Sequence, residues 1–214
     1  MGGVDTLCLT TLYGFGSLDL LSRAPCRPYD AERDGISIGE AAAFFLLERT
    51  AARGHEGIAL LGAGESCDAW HMSAPHPEGR GARMAMEAAL RSAALDASRI
   101  DYVNLHGTGT RSNDAAEDRA VCALFGGQVA CNSTKGMTGH ALGAAGAVEA
   151  AVALLAIRHG FVPPGAGTRR VDPELHARYE VAGGARRVER VVSNSFGFGG
   201  SNCSLVIGRV ESAS

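Results

Sequence analysis

Short apolar runs alternate with longer amphipathic stretches along this chain, and the change in period marks its elements. Residues 4–11 are apolar and β-leaning, which predicts a strand, and residues 14–22 have helical spacing. Residues 24–30, interrupted by Pro25 and Pro28, predict a loop. Residues 35–40 and the nearly continuous apolar run 41–48 predict extended structure, the second covered on both faces, as such runs require. The polar stretch 49–56 is the best candidate boundary, dividing the chain into residues 1–56 and 57–214. Beyond it the pattern predicts a strand at 57–65 and a helix at 81–94 with Met84, Met86, Ala88, Ala89 and Leu90 as apolar positions. A strand at 101–106, a helix at 114–125 and a strand at 128–132 come next. A long small-residue helix at 141–160 precedes two final strands, 186–193 and 202–208, which flank a glycine-rich turn. Strands alternating with helices imply an α/β sheet with helices on its faces.

Ligands in such sheets collect at the carboxyl ends of strands. Three segments, 103–110, 130–140 and 193–202, begin as strands and break into glycine-rich loops carrying histidine, lysine or phenylalanine. Their convergence on one pocket is the main expectation from pattern alone. Composition narrows it further. An apolar fraction of 46% in 214 residues fills a core, and a net charge of −3 gives no electrostatic case for nucleic acid or an anionic membrane. No apolar run approaches the roughly 20 residues that span a bilayer, and residues 1–5 do not resemble a signal peptide. Six cysteines without a CxxC pair argue against zinc or a disulfide framework and for a reducing cytoplasm.

Within these loops, His106 closes a strand, and Thr108 and Thr110, spaced by glycine, offer hydroxyls to an extended polar ligand. The same segment also suits a helix N-cap. His140 precedes the long helix, five residues after Lys135, and Lys135 between Thr134 and Gly136 is badly placed for a solubilising charge. Glu149 stands in an otherwise apolar helix and needs a partner if buried, with Lys135 the natural candidate. Gly143 and Gly146 weaken that helix unless they allow close packing. A metal held by His106, His140 and a carboxylate has no supporting ligand spacing. The turn Phe196-Gly197-Phe198-Gly199-Gly200 reads either as a plain hairpin or as a mobile gate whose backbone N–H groups face a developing oxyanion.

These motifs resemble those of β-ketoacyl-[acyl-carrier-protein] synthases. His106-Gly107-Thr108-Gly109-Thr110 with Asn113-Asp114 and Glu117 resembles the first histidine motif. Ser133-Thr134-Lys135-Gly136-Met137-Thr138-Gly139-His140 resembles the lysine and second-histidine motif, and Asn194 through Asn202 the C-terminal gate loop. Arg27-Pro28-Tyr29-Asp30 through Asp34-Gly35 and Gly39-Glu40-Ala41 resembles the stretch after the nucleophile region. The resemblance implies a thiolase-like α-β-α-β-α layered fold, of which residues 57–214 form the C-terminal half and residues 1–56 the tail of the N-terminal half. It implies decarboxylative condensation of an acyl thioester with a malonyl thioester carried on acyl carrier protein, in fatty acid or polyketide biosynthesis. His106 and His140 are then the catalytic pair, with Lys135 organising the site and Glu149 supporting it. Thr108, Thr110, Phe198 and Gly199 contact substrate, Phe198 acting as gate. No cofactor is implied beyond the carrier's phosphopantetheine, and the full-length form is expected to be a homodimer or heterodimer.

None of the six cysteines matches the family's nucleophile, which lies upstream of the matched region. Cys67, near His71, is the one tempting substitute, and Cys131 is expected beside the site as packing. The chain alone is therefore expected not to condense acyl groups. Two other readings stay open: a non-catalytic partner resembling a chain length factor, against which the retained histidines and lysine argue, and a carrier-protein-binding module. Poor solubility or self-association is expected from the apolar surface that a missing half leaves exposed.

Overall fold

The computed structural model describes residues 1–49 and 57–210; apart from Arg49, the candidate boundary at 49–56 lies outside the described residues. The main sheet has five strands: β3 (Ile58–Cys67), β4 (Tyr102–Asn104), β5 (Ala130–Asn132), β8 (Arg190–Phe196) and β9 (Ser201–Arg209), in the order β3-β9-β8-β4-β5. β8, β4 and β5 run parallel, and β9 is antiparallel to both β8 and β3. A separate antiparallel pair joins β1 (Gly2–Asp5) to β2 (Ala41–Phe44), and β6 (Phe161–Val162) pairs with β7 (Gly184–Ala185).

Alternation along β8 and β9 builds two cores. Val192 and Val206 face α2 (Arg80–Ser92) and α3 (Arg111–Phe125) together with Met86, Ala89 and Val121. Val191 and Ile207 face α5 (Ala145–His159), packing with Ala153 and Ile157. On its other side α5 meets β1 and β2, so the layers run α2/α3, five-stranded sheet, α5, two-stranded sheet. Residues Leu142–His159 have the length and hydropathy of a membrane span, yet α5 carries buried Glu149 and lies between two sheets, as a core helix does. Close approach explains its one glycine: a Cβ on Gly146 would stand 2.8 Å from Ser195 Oγ.

Four expectations are corrected. Residues 4–11 are not one strand: β1 ends at Asp5, whose carboxylate accepts the N–H of Thr6 and, across the chain, of Gly143. The first helix, α1 (Leu9–Ser17), accordingly begins earlier than residue 14. The run 41–48 is not covered on both faces. Only residues 41–44 form a strand, α5 covers one side of it, and Phe44 and Leu46 are 74% and 86% exposed. Residues 35–40 form no strand but two isolated bridges, Leu21 with Ile36 and Ile38 with His140.

Candidate active site

The carboxyl end of β4 delivers the first loop. Leu105 N–H donates to Asn132 O at 2.9 Å, continuing the sheet by one residue, and the chain then turns at Gly107 (φ +37°) and Gly109 (φ +78°). A Cβ at Gly107 would stand 2.5 Å from Ser133 Cβ, so only glycine fits there. Two carboxylates from α3 hold this loop by its backbone. Glu117 accepts the N–H groups of His106 and Gly107, each at 2.8 Å, and the side-chain amide of Asn194 at 3.1 Å. Asp114 accepts the N–H groups of Thr108 at 3.1 Å and Gly109 at 3.2 Å. Both acids are fully buried, and burial pushes Glu117 up to about 7. Thr110 then caps α3, its Oγ1 accepting the N–H of Asn113, and its hydroxyl lies 3.0 Å from that of Thr108.

The second loop leaves β5 at Asn132. Ser133 joins the two loops, donating its hydroxyl to Gly107 O at 2.7 Å and accepting the N–H of Lys135 at 3.2 Å. Lys135 opens the short helix α4 (Lys135–Thr138) and is 1% exposed. Its ammonium pairs with Glu149 Oε1 of α5, donates to His106 O at 2.5 Å and lies 3.4 Å from His106 Nδ1. Burial raises the Glu149 carboxyl while Lys135 opposes that shift, and Ser195 donates its hydroxyl to the free oxygen at 3.4 Å.

His140 follows α4, its ring centroid 5.1 Å from that of His106 with the planes nearly perpendicular. Burial, then Lys135 and His140, holds His106 well below the ordinary imidazole range. Burial and Lys135 lower His140 to about 3. Both rings are therefore neutral near pH 7, with one N–H each. The ammonium beside His106 Nδ1 requires a lone pair there, which places that ring's proton on Nε2. The N–H of Leu142 donates to His140 Nδ1 at 3.2 Å and sets the same tautomer. Two neutral Nε2–H donors thus share one cavity.

That cavity, about 750 Å³, is lined by His106, Thr108, Thr110, His140 and Phe198, so the three loops converge as their pattern requires. Lys135 and Glu149 sit behind the histidines, outside the lining. Gly199 is the exception among the expected ligand contacts. It does not line the cavity, and its N–H already donates to Met72 O at 2.8 Å. The gate segment is a hairpin turn between β8 and β9, with Gly199 and Gly200 both at φ +80° and the Phe198 ring 5.5 Å from Phe15 of α1.

Cys67 is exposed, its Sγ 3.7 Å from Gly199 O, while His71 Nδ1 is engaged by the N–H of Ser73. Cys131 lies in the core against Arg178 O, not beside the site as expected, because β5 turns it toward Val103 and Val121 rather than the cavity. Cys203 does line the cavity, but burial and Glu65 raise its thiol above the ordinary range. Sequence reasoning underused the acids of α3: Asp114, Glu117 and Asp118 lie one turn apart on the face that also carries Ala120 and Val121, the signal that they are buried anchors.

Residues 58–169 match the family described as beta-ketoacyl synthase, C-terminal domain, and residues 1–52 match beta-ketoacyl synthase, N-terminal domain. A mitochondrial 3-oxoacyl-[acyl-carrier-protein] synthase of Arabidopsis thaliana is 43% identical over 195 residues, covering 86% of this chain and 42% of that protein. A 3-oxoacyl-[acyl-carrier-protein] synthase 2 of Vibrio harveyi is 42% identical, covering 92% of this chain and 51% of that protein. Among solved structures, a ketosynthase in complex with its chain length factor from Xenorhabdus doucetiae superposes with a TM-score of 0.92 at 47% identity, over 98% of this chain and 52% of that one. The chain thus spans about half the length of these relatives. With two family matches in chain order and a thiolase-like ketosynthase fold, the chain belongs to the β-ketoacyl synthase family.

Proposed function

We propose that residues 57–210 carry the malonyl half of a 3-oxoacyl-[acyl-carrier-protein] synthase site: they bind a malonyl thioester on its phosphopantetheine arm and release carbon dioxide from it. The observation that carries this reading is that both imidazoles line one cavity, His106 with Nδ1 beside the Lys135 ammonium and His140 with Nδ1 accepting the N–H of Leu142, which turns each Nε2 to donor duty. A thioester carbonyl oxygen between them accepts two hydrogen bonds. When the C–C bond to the carboxylate breaks, carbon dioxide leaves and the electron pair moves into an enolate whose oxygen those donors stabilise. In the complete synthase the carbanion attacks an acyl group on the nucleophilic cysteine; without one, a proton from solvent turns the enolate into an acetyl thioester. Neutral donors suit this step, because a fixed imidazolium would hold the malonyl carboxylate and oppose its loss.

The same reading gives Thr108 and Thr110 to the pantetheine amides, Phe198 to gating, and Lys135 with Glu149 to fixing the His106 tautomer. It calls for no cofactor beyond the carrier's own arm. Acyl carrier protein is the partner, a homodimer or heterodimer the assembly, and the cytoplasm the compartment, in keeping with six free thiols. Calorimetric titration with malonyl-pantetheine tests the binding half. Thr108→Val, which keeps shape and removes the hydroxyl, is expected to weaken binding by about tenfold, the worth of one hydrogen bond of about 1.4 kcal/mol. Unchanged affinity in that variant contradicts the assignment.

A further inference from the structure

The proline-interrupted segment after α1 has no part in the chemistry above, yet its backbone touches both histidine loops. On one side, the Cys26 thiol donates to Thr108 O at 3.0 Å, Gly35 N–H donates to Gly109 O at 3.1 Å, and Tyr29 N–H donates to Asp114 Oδ2 at 2.8 Å. On the other, His140 N–H donates to Ser37 O at 2.7 Å and Gly39 N–H donates to His140 O at 3.0 Å. Residues 35 to 39, about 13 Å of extended chain, therefore run from one loop to the other. Neither end tolerates a side chain: Gly35 sits at φ +142°, and a Cβ on Gly39 would stand 2.3 Å from Thr138 O.

One residue fixes where this brace begins. Arg33 is 4% exposed, and its guanidinium reaches three groups on three segments. Nη1 donates to Asp30 O at 2.9 Å and to Asp172 Oδ2 at 2.5 Å, and Nε lies 3.5 Å from Asp114 Oδ2. Asp114 is the carboxylate that holds Thr108 and Gly109 by their N–H groups. Asp30 in turn accepts the N–H groups of Arg169 and Arg170 at 2.7 and 2.9 Å. The guanidinium thus hydrogen-bonds Asp30 and Asp172 and meets Asp114 as an ion pair without a hydrogen bond, a spread of contacts that the single ammonium of lysine matches only in part.

We propose that residues 26–39 form a brace that sets the spacing of His106 and His140, with Arg33 as its positioning residue acting through Asp114 and Gly35. A purely structural ion cluster predicts lost stability alone. The brace predicts that the two imidazoles change environment together when Arg33 is altered. Its consequence for ligand affinity rests on the thioester reading above, whereas its effect on the imidazoles does not.

The test uses 15N-histidine spectra and malonyl-pantetheine titration of four variants of the full chain: Arg33→Gln, Arg33→Lys, Cys26→Ala and the core control Ile157→Val. Arg33→Gln is expected to move the ring resonances of both His106 and His140 and to weaken thioester binding by roughly 10- to 100-fold. Arg33→Lys is expected to recover part of each effect, and Ile157→Val to lower the melting temperature without moving either ring. Histidine resonances at wild-type positions in Arg33→Gln overturn the proposal, as do equal shifts in Ile157→Val. If Arg33→Gln does not fold, Cys26→Ala decides: a displaced His106 ring resonance supports the brace, and an unmoved one overturns it. A wild type that binds no thioester sinks the functional reading while the ring spectra still decide the brace.

Discussion

The Lys135–Glu149 pair offers the most demanding test of the site's energetics. Both side chains are buried, Lys135 at 1% and Glu149 at 2% exposure. Glu149→Leu leaves the ammonium with only the carbonyl and Nδ1 of His106. Lys135→Met leaves the carboxylate with only the hydroxyl of Ser195. Removing one partner of a buried pair costs about 3–5 kcal/mol, because the remaining charge stays desolvated. Against a total stability of about 5–15 kcal/mol this is a large fraction. The double variant removes both charges and leaves apolar side chains of similar volume. It is expected within about 2 kcal/mol of wild type, against an additive sum of roughly 6–10 kcal/mol. Urea unfolding of the four proteins measures the cycle. Additivity within about 0.5 kcal/mol refutes the reasoning, since independent sites behave that way. The double variant separates stability from function: it is expected to fold yet to lose thioester turnover, because nothing then holds His106 in its Nε2–H tautomer.

Other outcomes follow from single side chains. Tyr29 stacks on Tyr179 at 4.9 Å with its hydroxyl buried and without a hydrogen-bond partner among the described residues, so Tyr29→Phe is expected to raise stability by about 1 kcal/mol in thermal melts, and a comparable loss contradicts this. His140 falls from 6.5 to about 3 in the folded chain, so its contribution is fully present above pH 6.5 and is lost as pH drops toward 3, the unfolded state binding the proton first. Glu117, raised from 4.5 to about 7, acts in the opposite sense between those values. The difference between wild type and His140→Asn isolates the histidine. The variant should lose about 2 kcal/mol less between pH 6.5 and pH 5, and parallel urea midpoints would refute the assignment. Leu9 and Tyr13 on α1, and Phe44 and Leu46 in and after β2, are large apolar side chains left exposed, so the wild type is expected to self-associate in sedimentation velocity. Leu9→Lys with Phe44→Lys should shift it toward monomer, and a monomeric wild type contradicts the expectation.

Much of this was legible in the sequence because strand-then-glycine segments announce a site at strand ends. Residues 103–110 and 130–140 deliver His106, Lys135 and His140 as their pattern requires, and the lone glutamate of an apolar helix pointed to its lysine. Less legible was anything set by distant backbone contact. The end of β1 depends on Asp5 meeting Gly143, a partner 138 residues away, so local propensity misplaced α1. The engagement of Gly199 by Met72 and the reach of Arg33 to Asp172 are likewise long-range. The run 41–48 misled for another reason: apolar continuity signals a strand buried on both faces, whereas here its second face lies open.

The most direct measurement is the conversion of malonyl-pantetheine to acetyl-pantetheine and carbon dioxide by the chain alone, followed by mass spectrometry. The account predicts turnover above the uncatalysed rate, falling by about 100-fold or more in His106→Ala and in His140→Ala, as loss of one oxyanion donor does. No turnover by the folded wild type, or turnover unchanged in either histidine variant, would contradict it.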